Sequence, residues 1–306
     1  MKKILVAGSL NMDMVLNVDH HPQPGETVLG RKLTYSPGGK GANQAYAVGR
    51  LGGDVRMIGC VGNDSNGQAL IGNLETAGVD TSAIARIDTE PTGLAVIPVD
   101  DQGENCIIVI SGANFCLTPE LIRQQETVIA ACDYVITQLE TPVDTVLELA
   151  KTARKYGKCM ILDPAPARAD LPDELFPLID IMKPNETELQ ILTGMKTDTD
   201  EAVVKAASVL LEKGVSKVVV TLGDRGAVLA EHENVRFFEG QKVVPVDTTA
   251  AGDTFTAALV NGLAEDMAMD EAIRFANKVS SIVVTRAGAQ ASIPDKEEVR
   301  EILRRK

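Results

Sequence analysis

The sequence predicts an α/β fold in three layers: an open, mostly parallel sheet covered by helices on both faces, with a small inserted antiparallel β lid. Two observations carry this. Short apolar runs alternate with segments of 3–4 apolar spacing along most of the chain, the pattern of buried parallel strands joined by crossover helices. Two stretches break the alternation, residues 14–36 and 92–110, and each reads as strand segments with no helix within it. No linker, repeat or low-complexity segment interrupts the 306 residues. The expectation is therefore one domain, 1–306, with lid segments at approximately 14–36 and 92–110.

The elements follow in order. The apolar run 4–8 is the first buried strand, and 14–18 and 28–36 are short strand-like segments of the lid. Helical spacing begins at 41–51, followed by a strand at 55–60 and a helix at 67–77. In 92–110, "TGLAVIPV" and "CIIVI" flank the turn "DDQGEN", which reads as a hairpin. Helix 119–131, strand 134–137, helix 142–156 and strands 160–162 and 179–182 follow. Then come helix 201–213 and strand 218–222, bounded by Gly, Asp, Lys or Pro as buried strands tend to be. The last stretch is nearly all helix: 250–263, 269–285 and 295–304.

Composition narrows the function. The formal net charge of −13 argues against a duplex-binding protein, which needs clustered Lys and Arg. The five cysteines (Cys60, Cys106, Cys116, Cys132, Cys159) form no C-x-x-C pair and read as free thiols of a reducing compartment. The apolar run of "MKKILVAGSLNMD" stops within about six residues, short of a signal peptide's apolar core. No stretch approaches the ~18 apolar residues of a membrane span. A cytoplasmic protein with no nucleic-acid or membrane partner is expected.

Six motifs carry chemistry, and four fall just after predicted strands, where ligands gather in open α/β sheets. In "PGGKGANQA", glycines allow close backbone approach at a helix start, and Lys40 and Asn43 add donors; a plain turn with a helix cap is the other reading. It is not a Walker A loop. Asn11 and Asp13 of "SLNMDMV" suit vicinal hydroxyls, or simply form a turn. Glu140 in "QLETP" is a ligand-edge carboxylate or an acid serving a helix dipole. In "KPNETE", Asn185 and Glu188 form a box-like cap or organise hydrated Mg²⁺; the pattern by itself favours the cap. "TLGDRGA" is an open glycine turn for a flat ring or phosphate, or a hairpin turn. Last, "DTTAAGDTF" puts Ala250, Ala251 and Gly252 at a helix N-terminus with Asp253 in the same turn. Unpaired N–H groups beside a carboxylate base are what phosphoryl transfer to a hydroxyl requires.

With these motifs in sequence order, together with "DPAPAR" at 163–168, the chain resembles the ribokinase-like carbohydrate kinases over essentially its whole length. The early "GGKGAN" and the late "DTTAAGDTF" match the family's two signatures. The resemblance implies ATP-dependent phosphorylation of D-ribose at its 5-hydroxyl, with Asp253 as base and the amides of Ala250, Ala251 and Gly252 as anion cradle. Asn11, Asp13, Gly39, Lys40, Asn43, Glu140 and Asp253 would hold the sugar. Asn185, Thr221, Gly223, Asp224, Gly226, Gly252 and Asn277 would line the nucleotide site. Glu188, with Asn185, would organise Mg²⁺ through water. The family's monovalent cation, usually K⁺, would take the Asp247 carboxylate, the carbonyls of Thr249, Val283, Arg286 and Gly288, and the Ser292 side chain. Apart from the resemblance, a homodimer through the lid is expected, since two edge strands can pair.

Three positions depart from the family pattern. Asp163 stands where Asn is usual, Asn277 where some members place a His, and Met12 sits inside the N-x-D element. A kinase of the same family acting on 2-deoxyribose, a nucleoside or another sugar is the competing enzyme reading. A sugar-binding protein without turnover is the competing reading of another class.

Overall fold

The computed structural model describes residues 2–304; residues 1, 305 and 306 of the expected domain lie outside them. Its elements build a nine-stranded sheet. Strands β1 (Lys3–Ala7), β4 (Asp54–Gly62), β5 (Asp80–Ile87), β8 (Tyr134–Thr137), β9 (Cys159–Leu162), β10 (Ile181–Met182) and β11 (Lys217–Thr221) run parallel. A hairpin of β12 (Gly226–Glu231) and β13 (Asn234–Glu239) closes one side. The order is β13-β12-β11-β10-β9-β8-β1-β4-β5.

Both faces are covered because successive strand residues point to opposite sides. On β1, Ile4 and Val6 join one apolar cluster and Leu5 and Ala7 the other. Helices α1 (Lys40–Arg50), α8 (Ala251–Ala264) and α9 (Met269–Val283) supply the first cluster. The second takes α5 (Val143–Lys155), α7 (Asp200–Glu212) and the apolar side of α6 (Glu186–Thr193). Helices α2 (Ser65–Thr76) and α10 (Lys296–Arg304) flank the first layer. The expected helix 119–131 is divided into α3 (Pro119–Gln124) and α4 (Glu126–Ala130), broken at Gln125.

The lid is a separate four-stranded sheet in the order β3-β2-β6-β7: β2 (Asn11–Asn17), β3 (Lys32–Gly38), β6 (Gly93–Val99) and β7 (Ile108–Ile110). It is antiparallel at β2–β3 and β6–β7 and parallel at β2–β6. β2 leaves the main sheet three residues after β1, so the lid grows out of the strand ends that carry the first ligand-edge motif. Among the described residues no helix is long and apolar enough to cross a membrane.

Candidate active site

Helix α8 is the centre of the site. Ala250, its N-cap, adopts a left-handed φ of 59°, and no side chain caps the helix. The first i→i−4 bond runs from Thr254 N to Ala250 O, and the Ala251 N–H closes a turn onto Thr248 O. Amides ahead of that first bond look out of the helix end, where the dipole is positive. The sequence supplies only small side chains there, so an anion can approach the backbone closely.

Asp253, in this first turn, is buried. Its Oδ2 accepts from Asn43 Nδ2 at 2.9 Å and its Oδ1 from Gln44 Nε2 at 3.1 Å, both on the first turns of α1. Burial raises its pKa; Lys40 opposes this, Asp163 adds to it, and the net direction is upward. A carboxylate that is buried yet still beside an ammonium is a competent proton acceptor. Burial works against the Lys40 ammonium. The carboxylates of Asp253, Asp163, Glu140 and Glu188 outweigh it and hold its pKa above the ordinary value.

On the lid side, Gly39 enters α1 at φ 87° and passes close to the backbone of Ser9 and Asn11. Glu140 Oε2 accepts from Ser9 Oγ (2.5 Å) and from the Lys40 N–H (3.1 Å), bringing three motifs together. Asn11 is oriented by Asn114, whose Nδ2 donates to Asn11 Oδ1 at 2.7 Å. Asp13 lies against Gly38, and its carboxyl is pushed up to about 7 by burial, then by Glu140 and Asp253. Asn11, Asp13, Gly39, Lys40, Asn43 and Glu140 thus form one polar cluster beside Asp253.

Across α8 lies a cavity of about 540 Å³. All seven expected nucleotide residues line it: Asn185, Thr221, Gly223, Asp224, Gly226, Gly252 and Asn277. The apolar loop residues Val243 and Pro245 add a hydrophobic wall. Asn277 Nδ2 also donates to the carbonyls of Phe238 (3.3 Å) and Glu239 (3.4 Å), tying α9 to β13. The capping box at α6 is present: Glu188 N–H donates to Asn185 Oδ1, and Asn185 N–H donates to Glu188 Oε2. The cap and the ligand-edge reading are compatible, because the cap uses one Glu188 oxygen. Burial raises the Glu188 carboxyl despite the nearby Lys183, with Asp163 adding to the rise. Among the described residues no group of three or more His, Cys, Asp or Glu side chains is arranged to hold a metal alone.

Asp247 links the loop ahead of α8 to the turn after α9. Its Oδ1 accepts from the Thr249 N–H (2.9 Å) and hydroxyl (2.6 Å), and its Oδ2 from the Gly288 N–H (2.9 Å). Burial pushes its carboxyl up, but these hydrogen bonds prevail and hold it below the usual range. The hydroxyl of Ser292 donates to Ala289 O, within the same turn region.

Several contributors to the site were not singled out from sequence. Gln44 and Gln138 lie in "ANQA" and "QLE", and Gln138 Nε2 donates to Gln44 Oε1 at 2.7 Å. Gln290 donates to Asn43 Oδ1 at 3.1 Å, and Lys183 pairs with Asp163. Their position just after ligand-edge strands, or beside motif residues, is the signal that could have found them.

A polar cluster at the base of the lid sheet and a cavity of about 540 Å³ flank a helix N-terminus that carries a buried carboxylate. That arrangement suits phosphoryl transfer to a hydroxyl. The pfkB family carbohydrate kinase profile matches residues 1–296. A ribokinase of Haemophilus influenzae is 44% identical over 302 residues, covering 99% of this chain and 98% of that protein. A deoxyribokinase of Salmonella typhimurium is 34% identical over 300 residues, covering 98% of each. The structure of Arabidopsis thaliana ribokinase complexed with ribose and ATP superposes with a TM-score of 0.94 at 34% identity, covering 99% of this chain and 98% of that one. The chain belongs to the pfkB family of carbohydrate kinases.

Proposed function

We propose that this protein transfers the γ-phosphoryl group of ATP to the 5-hydroxyl of D-ribose, giving ribose 5-phosphate and ADP. The observation that carries this is Asp253: one carboxylate in the first turn of α8, with the polar cluster beneath the lid sheet on one side and the cavity of about 540 Å³ on the other. Full-length similarity to ribokinases supports ribose as the acceptor. The protein acts as one kinase domain, 1–306, with lid segments at about 14–36 and 92–110. ADP release measured across ribose, 2-deoxyribose, fructose, adenosine and pseudouridine tests the assignment; ribose should give the highest kcat/KM. 2-Deoxyribose is the second reading, favoured by the deoxyribokinase relative.

The sugar is held by Asn11, Asp13, Gly39, Lys40, Asn43 and Glu140. Asp253 accepts the 5-hydroxyl proton as the oxygen bonds to phosphorus, and the bond to the β-phosphate bridging oxygen breaks with its electron pair leaving on ADP. Helix-end amides at Ala250, Ala251 and Gly252, with Lys40, meet the charge that spreads over the transferring oxygens. Asn185, Thr221, Gly223, Asp224, Gly226 and Asn277 hold the nucleotide. The α6 cap leaves Glu188 an oxygen for a hydrated ion, which suits Mg²⁺, since that ion keeps several waters and shares phosphate oxygens. An ion held there through water would supply positive charge to offset that of the phosphates.

The Asp13 carboxyl gives a pH signature. Its value of about 7, raised from 3.8, leaves it mostly protonated near pH 6 and mostly ionised near pH 8. Ionised, it accepts hydrogen bonds from two hydroxyls, so sugar affinity should rise over that interval. Calorimetry with a non-hydrolysable ATP analogue should show a falling sugar Kd, and Asp13→Asn should flatten the profile. A Kd independent of pH in the parent protein contradicts the role of Asp13.

We further assign a monovalent-cation site to Asp247, the carbonyls of Thr249, Val283, Arg286 and Gly288, and Ser292, with K⁺ as the activator. The ionised Asp247 already ties the loop ahead of α8 to the turn after α9, and a fixed cation there would stiffen the cradle. Replacing KCl by a large organic cation should depress turnover, and Asp247→Ala should abolish the response. Equal rates with and without K⁺ would refute it. The lid strands expose Leu33, Tyr35, Ile108, Val109 and Ile110, and a second copy of the chain is the proposed cover. Sedimentation showing only monomer at micromolar concentration counts against the dimer. The five free thiols suit a cytoplasmic enzyme.

A further inference from the structure

Asp163 and Lys183 have no part in the transfer described above, yet they form a deeply buried ion pair beneath it. The residues are 2% and 3% exposed, and Lys183 Nζ lies 2.9 Å from Asp163 Oδ2. They follow the adjacent parallel strands β9 and β10, one residue past each. The same Asp163 oxygen accepts from Gln44 Nε2 (2.8 Å) and Thr256 Oγ1 (3.2 Å). Gln44 Nε2 is also the donor to Asp253 Oδ1, and its far end is fixed by Gln138. Thr256 stands one turn beyond Asp253 on α8, and Lys183 Nζ is 3.4 Å from the Gly252 carbonyl. The strand ends, α1 and the first turn of α8 therefore converge on one carboxylate.

We propose that the Asp163–Lys183 pair is a positioning device for phosphoryl transfer. Through Gln44 it fixes the Asp253 carboxylate, and through Thr256 and Gly252 it fixes the helix end that faces the phosphate. A buried ion pair is poor evidence of stabilisation, because desolvating both ions offsets their attraction; what it supplies is a fixed geometry. The second carboxylate oxygen, Asp163 Oδ1, is buried without a protein partner, an arrangement not optimised for stability alone. The pair is also matched. An Asn at 163 could accept from Gln44 and Thr256 without a charge, but it would leave the Lys183 ammonium without its counter-ion.

This inference rests on Asp253 being the base, and its test is read as a variant-to-parent ratio on whichever sugar the parent phosphorylates. Failure of the parent on ribose then speaks to the acceptor and not to the pair. Asp163→Asn and Lys183→Met should each lower kcat at least about tenfold, since small misplacements of reacting groups are costly. KM for sugar and ATP should stay within about threefold, because neither side chain is placed against a ligand. The combined variant should lose no more than the larger of the two single losses, the signature of coupled neighbours. Gln44→Met, which keeps the ion pair, should lower kcat with a smaller fall in Tm. Folded single variants with parental kcat, or losses that multiply in the combined variant, overturn the proposal. If the single variants do not fold, Gln44→Met decides it: parental kcat there overturns the positioning role, and a tenfold loss upholds it.

Discussion

Asp253→Asn should lose at least about 10²-fold in turnover while still binding ribose and ATP. The substitution keeps shape and removes the proton acceptor. It also has two opposed structural effects. Asp253 receives donors on both oxygens, from Asn43 and Gln44, and the new amide nitrogen must face one of them. A buried donor without an acceptor costs about 1–3 kcal/mol. Against this, the variant no longer buries a negative charge whose pKa burial has driven upward. The two offset, so Tm should move by only a few degrees, and the kinetic loss should stand out from any folding defect. Calorimetry for both ligands, beside single-turnover rates, separates the two. Near-parental turnover would sink the base assignment.

Gly39→Ala should have the next largest effect, and on the other substrate face. Gly39 turns into α1 at φ 87°, where an L side chain is strained by about 1–3 kcal/mol. A Cβ there would lie 2.6 Å from the Asn11 nitrogen and 3.0 Å from the Ser9 carbonyl oxygen, both backbone. The only relief is to push the β1–β2 connection away from α1. That separates Asn11 and Ser9 from Lys40 and Glu140, so KM for ribose should rise at least about tenfold, with a clear fall in Tm. KM for ATP should change little, because the nucleotide cavity lies across α8. An unchanged ribose KM in a folded Gly39→Ala protein contradicts the pocket drawn here.

These two residues also show how far the sequence could be read. Gly39 and Asp253 belong to local motifs, where spacing alone implies a tight approach and a helix end. Helices α1, α5 and α7 were legible for the same local reason, an apolar stripe on one face. Strand β5 was not: "DTSAIARI" sits at the sheet edge, largely half-buried, and lacks a continuous apolar run. Strand β13 is the other edge, and of "NVRFFE" only Phe238 is buried, so no buried apolar run marks it. The break at Gln125 leaves apolar spacing intact on both sides, so one helix was expected where two are found. Within the site, the illegible part is the layer beneath the motifs. Gln44 meets Asp163 across 119 positions and Asp253 across 209, and only the closed sheet brings them together. Asn185, Gly223, Asp224 and Gly226 were legible as ligand-edge candidates because they follow strands β10 and β11, but Asn277 on α9 and the nucleotide assignment itself came from family resemblance. The cation site and the sugar came from family resemblance.

The most direct test is the product itself. With ATP, Mg²⁺, K⁺ and D-ribose, the enzyme should release ADP in step with one new phosphomonoester, and its phosphorus resonance should couple to the two C5 protons. A phosphomonoester on another carbon, or ADP release that ribose does not stimulate, would contradict the assignment.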